Sequence, residues 1–398
     1  MPAAAGAQTR DDPHVSALST QTLLHASAVT LVDPVRQRRA RAIEDYRELL
    51  FAGWAGAPIL AFLWLWQSGN AARLRDLLRR RLRARWLQRA AFGAALGALA
   101  TIASLPFAFA DYRIEHNVGL TLQTIPNWFL AELLRLATIS VCTALVVAVV
   151  LALVDWTRLW YLIFIAILYV TALVVVAIEP VLFSPLTAND RPAPAAVVAQ
   201  GDAVAHALGT PPIPLVITVT SQRASGLVAR TSGLGPFARI LLGDQALAAM
   251  TPDEREFLLA RQYAHQAEND VFVLALAGTT LFVFAAALAV LISDRIGFRR
   301  DDDPLARLPL VGTFLGIAVL LLYPAYNAIE RGIEWRADAL ALSAVPDRAA
   351  GVRLFVRRAD DDLLPLCGRR TVRWYFDSRP PLGSRIAAIG KTADPCPR

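Results

Sequence analysis

Six stretches of this chain are apolar and almost free of charge over a length that can span a hydrocarbon core, which takes about 20 residues. They are 49–67, 90–110, 136–154, 159–178, 271–293 and 308–329. Segments with a different rhythm separate them. Between the first two, Leu74, Leu77, Leu78, Leu82 and Trp86 recur at helical spacing among eight arginines from Arg73 to Arg89. That is the pattern of a cationic amphipathic helix over 73–89 lying on a membrane surface. From 189 to 250 the pattern becomes that of water-exposed chain, with an amphipathic helix over 195–208 and short strands at 215–219 and 239–243. Thr251, Pro252, Asp253 and Glu254 then form a helix start: an N-cap hydroxyl, a proline in the first turn, and acids facing the positive end of the helix dipole. This helix is expected to lead directly into the fifth span, and another over 330–342 to continue the sixth.

Residues 1–48 are polar and poor in aromatics, and are expected to be disordered. They lack an early apolar run with a small-residue cleavage site, so the first span is expected to act as the insertion signal. The expected organisation is thus a polar segment 1–48, a membrane region 49–184, and a second unit 185–398 that includes the last two spans.

Composition agrees with the pattern. Hydrophobic residues make up 56% of the chain and the mean hydropathy is +0.44, above the roughly 45–50% apolar content of soluble domains. The expected location is a multi-pass position in the cell (inner) membrane, with the lipid bilayer as first partner. The net charge of +7 comes almost wholly from arginines. They flank the spans, where anionic headgroups are the natural partners, and no nucleic-acid-binding motif is visible, so no nucleic-acid partner is expected. Cys142, Cys367 and Cys396 have no metal-type spacing and imply no disulfide framework. His14 and His25 read as solvated tail residues, His116 as a loop residue and His206 as a structural residue of the 195–208 helix.

The chemistry concentrates in 251–270, TPDEREFLLARQYAHQAEND. Arg261-Gln262-Tyr263-Ala264-His265 has the frame of H-E-x-x-H, in which two histidines on one helical face bind zinc and flank a glutamate base. One histidine of the pair remains, and an amide stands where the base would be. Glu334-Trp335-Arg336-Ala337-Asp338 follows after the sixth span.

Other segments carry a resemblance. Residues 111–120, DYRIEHNVGL, followed by Gln123-Thr124, resemble the F-x-I-E-x-x-x-G-F-x-x-Q-T stretch of the type I CAAX prenyl proteases, HtpX-related integral membrane zinc metallopeptidases. Glu179-Pro180-Val181-Leu182-Phe183-Ser184-Pro185-Leu186-Thr187 is similar to that family's apolar span ending in P-L-F. The strands 215–219 and 239–243 resemble its small β-hairpin, on whose edge an extended substrate lies. Residues 374–386, WYFDSRPPLGSRI, are similar to F-x-x-H-P-P-x-x-x-R-I with Arg379 in the histidine's place. These matches follow family order from about 90 to 390. They imply a mainly α, polytopic helical membrane protein with a small α+β metallopeptidase-like domain.

The resemblance also assigns roles. His265 matches the second histidine ligand, Glu334 the third ligand of E-x-x-A-D, and Asp338 an aspartate that orients a ligand. Arg261 stands for the first histidine, Gln262 for the base, and Arg379 for a histidine that would help stabilise an oxyanion. A guanidinium has no lone pair to offer a cation, and an amide cannot take a proton from water. The reading that follows is a catalytically inactive pseudo-peptidase without cofactor, which binds or regulates membrane-anchored peptides or an active relative. The alternative is a zinc-dependent membrane endopeptidase using an altered site. A transporter lacks support, because the spans hold almost no charge and show no inverted repeat.

Two further expectations concern charge. With zinc gone, Glu334 would be a bare carboxylate in an enclosed site, so Arg261 is expected to pair with it, shared with Asp338. The expected orientation in the membrane is the family's. The resemblance puts the 185–270 domain on the cytoplasmic side; the arginines of 73–89 argue for the opposite, and Arg36, Arg38, Arg39 and Arg41 pull back again.

Overall fold

The computed structural model describes residue 15 and residues 18–182, 190–220, 226, 228–297 and 303–396. Each expected span lies in a helix long and apolar enough to cross a membrane. They are α3 (Pro34–Gln67), α5 (Arg85–Val118), α6 (Ile125–Trp156), α7 (Trp160–Leu182), α11 (Asp270–Gly297) and α12 (Pro304–Ala344). Their outward faces are apolar and uncovered, as with Leu145 at 60%, Val170 at 61% and Leu321 at 72% exposure, which fits lipid rather than water as the solvent. Inside the bundle, α5 and α6 approach at Gly93 and Gly97. A Cβ there would lie 2.6 Å from the Thr143 carbonyl and 2.9 Å from that of Ile139, so only glycine permits the contact.

The cationic helix is shorter than expected. α4 (Asn70–Arg81) ends with three arginines in its last turn, where the helix dipole favours them, and Leu82 is extended. Trp86, Arg85 and Arg89 therefore belong to α5. A single helix over 73–89 could not both lie along the surface and enter the bilayer, and no glycine or proline marks the break. Leu74 and Leu78 pack against a cluster of Leu65, Phe92 and Leu305, while Leu77 stays 51% exposed.

The N-terminal segment is ordered over its described part. α1 (Thr20–His25) and α2 (Ala28–Leu31) bury Leu23 and Leu31 in the core of the second unit beside Phe355 and Ile389. The Asp33 N–H donates to Asp360 at 3.1 Å, and Arg36 pairs with Asp361 at 3.0 Å. A few well-placed apolar side chains fix a segment whose average composition is polar. His25 and His206 are exposed, as expected; His116 is also exposed, but on the last turn of α5 rather than in a loop. His14 and residues 183–189 of the P-L-F segment lie outside the described residues.

The second unit is built on β1 (Arg191–Pro192), α8 (Ala195–Ala207), β2 (Leu215–Thr218), β3 (Ala229–Ser232), β4 (Arg239–Gly243) and α9 (Asp244–Ala249). They are followed by α10 (Pro252–Ala267), α13 (Arg348–Asp361), α14 (Arg370–Tyr375) and α15 (Leu382–Gly390). The sheet order is β1-β2-β4-β3. β2 and β4 are parallel, with Leu215 opposite Ile240, so the two strands read from the sequence do not form a hairpin. The hairpin is β3–β4, antiparallel, turning at Gly233 with φ 81°. β2 and β4 were legible because they are apolar central strands, whereas β3, Ala-Arg-Thr-Ser, is a polar edge.

α10 does not run straight into α11. Glu268 and Asn269 break the helix, Asn269 in the left-handed region at φ 54°, which asparagine tolerates. α12, by contrast, is one helix that carries the sixth span and then Glu334 and Asp338 into the second unit.

Cys367 and Cys396 form a disulfide, contrary to the expectation of no framework. The pair packs over α15, where a Cβ on Gly383 would lie 2.8 Å from the Cys396 sulfur. The bond closes a loop across a sequence separation of 29. Cys396→Ser is therefore expected to cost about 3–4 kcal/mol by loop-closure entropy. A thermal melt of the reduced and oxidised protein, compared with this variant, checks the value.

Candidate functional site

Two helices from different parts of the chain meet at the site. α10 is fixed by a capping box: the Thr251 N–H donates to Glu254 at 2.8 Å, and the Glu254 N–H donates to the Thr251 hydroxyl at 3.3 Å. The Glu254 carboxylate also accepts from Arg357 at 3.2 Å, with both side chains buried. Phe257, Leu259, Ala260, Tyr263 and Ala264 complete the packing, so α10 is buried on nearly every side. Arg261 then projects toward α12, where Glu334 and Asp338, four residues apart, share one face.

Arg261 is only 2% exposed. Its Nε donates to Asp338 Oδ1 at 2.7 Å and its Nη2 donates to Glu334 Oε2. Arg385, on α15 and fully buried, donates from Nε to Asp338 Oδ2 and from Nη2 to Asp338 Oδ1, both at 2.7 Å. The same Nη2 lies 3.2 Å from Glu334 Oε2. The two guanidinium carbons stand 5.4 Å and 4.1 Å from the Phe355 ring centre, an aromatic face shared by two cations. Arg379, half exposed, reaches to 3.7 Å from Glu334 Oε1.

This electrostatic arrangement leans positive. Burial works against the charge on Arg261, but Glu334 and Asp338 outweigh it and hold the group above its ordinary value. Burial and the neighbouring Arg261 hold Arg385 below its own. Burial, with Arg379 and the other guanidiniums beside it, pushes Arg358 down to about 10 against the opposing pull of Asp362.

The remaining positions read from the sequence are turned elsewhere. His265 Nδ1 meets Asp270 Oδ2 at 2.9 Å, and Asp270 is in turn held by Arg336 at 2.5 Å. Gln262 is buried, and both its backbone carbonyl and its side-chain oxygen accept from the Thr231 hydroxyl of β3, at 2.8 Å and 3.3 Å. Sequence reasoning missed Arg385, Phe355 and the pairing of Asp270 with His265. The only trace of Arg385 was its place in the Arg-Ile pair that closes 374–386.

A catalytic zinc centre needs three protein donors and an open position. These residues do not fit one. Arg261 presents a guanidinium with no lone pair to offer, the oxygens of Glu334 and Asp338 accept from arginines, and the His265 ring faces Asp270. Among the described residues no group of three or more His, Cys, Asp or Glu side chains is placed to hold a metal ion.

Beside the cluster lies a chamber of about 730 Å³. Arg358, Arg379 and Arg385 line it from the second unit, and Trp54, Tyr112 and Tyr323 line it from α3, α5 and α12.

Two family models match the chain. Peptidase family M48 covers residues 194–393, and the CAAX prenyl protease N-terminal region, described by five membrane helices, covers 43–188. The chain belongs to peptidase family M48. A Bacillus subtilis (strain 168) protein described as an uncharacterized metalloprotease, YhfN, is 22% identical over 373 residues, spanning 91% of this chain and 87% of that one. The crystal structure of S. mikatae Ste24p aligns with a TM-score of 0.77 over 93% of each chain at 17% identity, which establishes a common fold. The M48 member described here is thus a multi-pass membrane protein of CAAX-protease-like architecture.

Proposed function

We propose that this M48-family membrane protein is a non-catalytic relative that binds extended, membrane-associated polypeptide segments without cleaving them. The observation that carries the reading is the Arg261 guanidinium, bonded to Glu334 and Asp338 at the place where the frame requires a metal ligand. A fixed cation there repels a second cation, and Gln262 in the base position has no proton-accepting carboxylate. Two features support the binding half of the reading. β3 is an edge strand beside the site, a form onto which an extended chain can add by backbone pairing. The chamber's volume falls within the roughly 300–1,000 Å³ of ligand pockets.

The test uses purified protein in nanodiscs and a fluorescent, unfolded, apolar reporter polypeptide. Saturable binding is expected, with the reporter recovered intact by mass spectrometry after prolonged incubation. Cleavage that stops on adding a chelator would sink the reading and favour the zinc endopeptidase.

A further inference from the structure

We infer that the second unit, and the chamber with it, faces the oxidising, extracytoplasmic side of the membrane, so that the chamber's occupant is a segment of an exported polypeptide. Two observations that do not depend on each other point the same way.

The first is the Cys367–Cys396 disulfide. Disulfides persist in oxidising compartments, and cytosolic thiol systems keep such pairs reduced. The bond is built into the fold: Cys396 is buried, its N–H donates to Asp394, and the sulfurs lie against Gly383, close to Arg385 of the site.

The second is the distribution of arginine. The N-terminal helices pack on the second unit, so α3 carries the chain away from that side, α5 returns it, α6 leaves again and α7 returns. The connection from α3 to α5 lies on the opposite face. It and the start of α5 carry eight arginines from Arg73 to Arg89 against one acid, Asp76, and Asp155 and Arg158 stand together at the next connection on that face. The unit's own side has five arginines from Arg36 to Arg47 and then Arg113. Ion pairs occur on both faces, Arg36 with Asp361 and Arg47 with Glu115 on this one and Arg79 with Asp303 and Arg89 with Asp155 on the other, so the comparison rests on the number of arginines. Arginine-rich short connections stay cytoplasmic, where anionic lipids attract them. The exposed Leu77 and Arg80 of α4 suit that surface.

Both observations put α4 in the cytoplasm and the second unit outside, the reverse of the orientation that the resemblance implies. The nature of the occupant rests on the binding reading given above; the orientation does not.

The experiment places single cysteines in a Cys142→Ser background with the native disulfide retained. Asp253→Cys reports on the second unit and Ser68→Cys on the connection before α4, both at exposed positions. A membrane-impermeant maleimide is applied to sealed right-side-out and inverted vesicles. Labelling of Asp253→Cys is expected in right-side-out vesicles and its loss in inverted ones, with Ser68→Cys the reverse. The opposite pattern overturns the inference. A second readout needs no substitution: after acid quenching of intact cells, Cys367 and Cys396 are expected to resist alkylation until a reductant is added. Alkylation of both without reductant also overturns it. Failure of the reporter to bind, with labelling as expected, would remove the binding reading and leave the orientation standing.

Discussion

Replacing Arg261 with methionine is expected to destabilise the protein by about 3–5 kcal/mol, the usual cost of removing one member of a buried charge cluster. The magnitude follows from what is left behind. Glu334 and Asp338 are at most 8% exposed, and without Arg261 they share Arg385. Arg379, at 3.7 Å and half in solvent, compensates Glu334 poorly. A loss of that size corresponds to a fall in melting temperature on the order of 10 °C for a unit of this kind. Arg261→Met combined with Glu334→Leu should recover most of it, because apolar groups of similar volume can replace a buried ion pair at little net cost. Asp338 then retains its two bonds from Arg385. Thermal melts of the two single variants and the double variant give the coupling energy. Effects that simply add would show that Arg261 and Glu334 do not act as a pair.

The second large effect should come from rebuilding the donor set. Arg261→His with Gln262→Glu removes the repelling cation, supplies an imidazole one turn from His265, and restores a carboxylate at the base position. This double variant is expected to take up about one zinc ion per chain and to be stabilised by added zinc, by roughly 2.7 kcal/mol at a hundredfold excess over Kd. Binding requires His265 to turn from Asp270 and Glu334 to exchange its arginine partners for the metal, so the effect is a competition rather than simple addition. Gln262→Glu alone should bind no zinc, because Arg261 still fills the ligand position. Elemental analysis of the two variants after gel filtration separates the outcomes.

How far the sequence carried depended on the range of the physics involved. The spans were legible because lipid imposes a length and a composition on each one separately, and the N-cap at Thr251 because capping is local. That a helix continues the sixth span was legible, and α12 carries it through Pro324 without a break. The pairing of Arg261 with Glu334 and Asp338 was reachable from charge alone, since a cation and carboxylates assigned to one small enclosed site must find each other. Arg385 was not reachable in this way: it lies 47 residues from Asp338 on a helix with no charge pattern of its own. The disulfide was missed because spacing in sequence does not encode the approach of two distant ends. The parallel pairing of β2 and β4 was hidden because the strand that completes the hairpin, β3, is polar and short. α4 stopped early without a breaker residue because the turn into the membrane is set by packing against Leu65 and Phe92. His265 was read as a remnant ligand, yet its ring meets Asp270, a residue whose place next to it depends on the break at Asn269.

The central claim is that Arg261 has taken the place of the metal. The most direct test is the zinc content and proteolytic activity of the wild-type protein, purified from zinc-supplemented cells without chelator. The account predicts no stoichiometric zinc and no peptide-bond cleavage. About one zinc per chain, with proteolysis that a chelator abolishes and zinc restores, would contradict it.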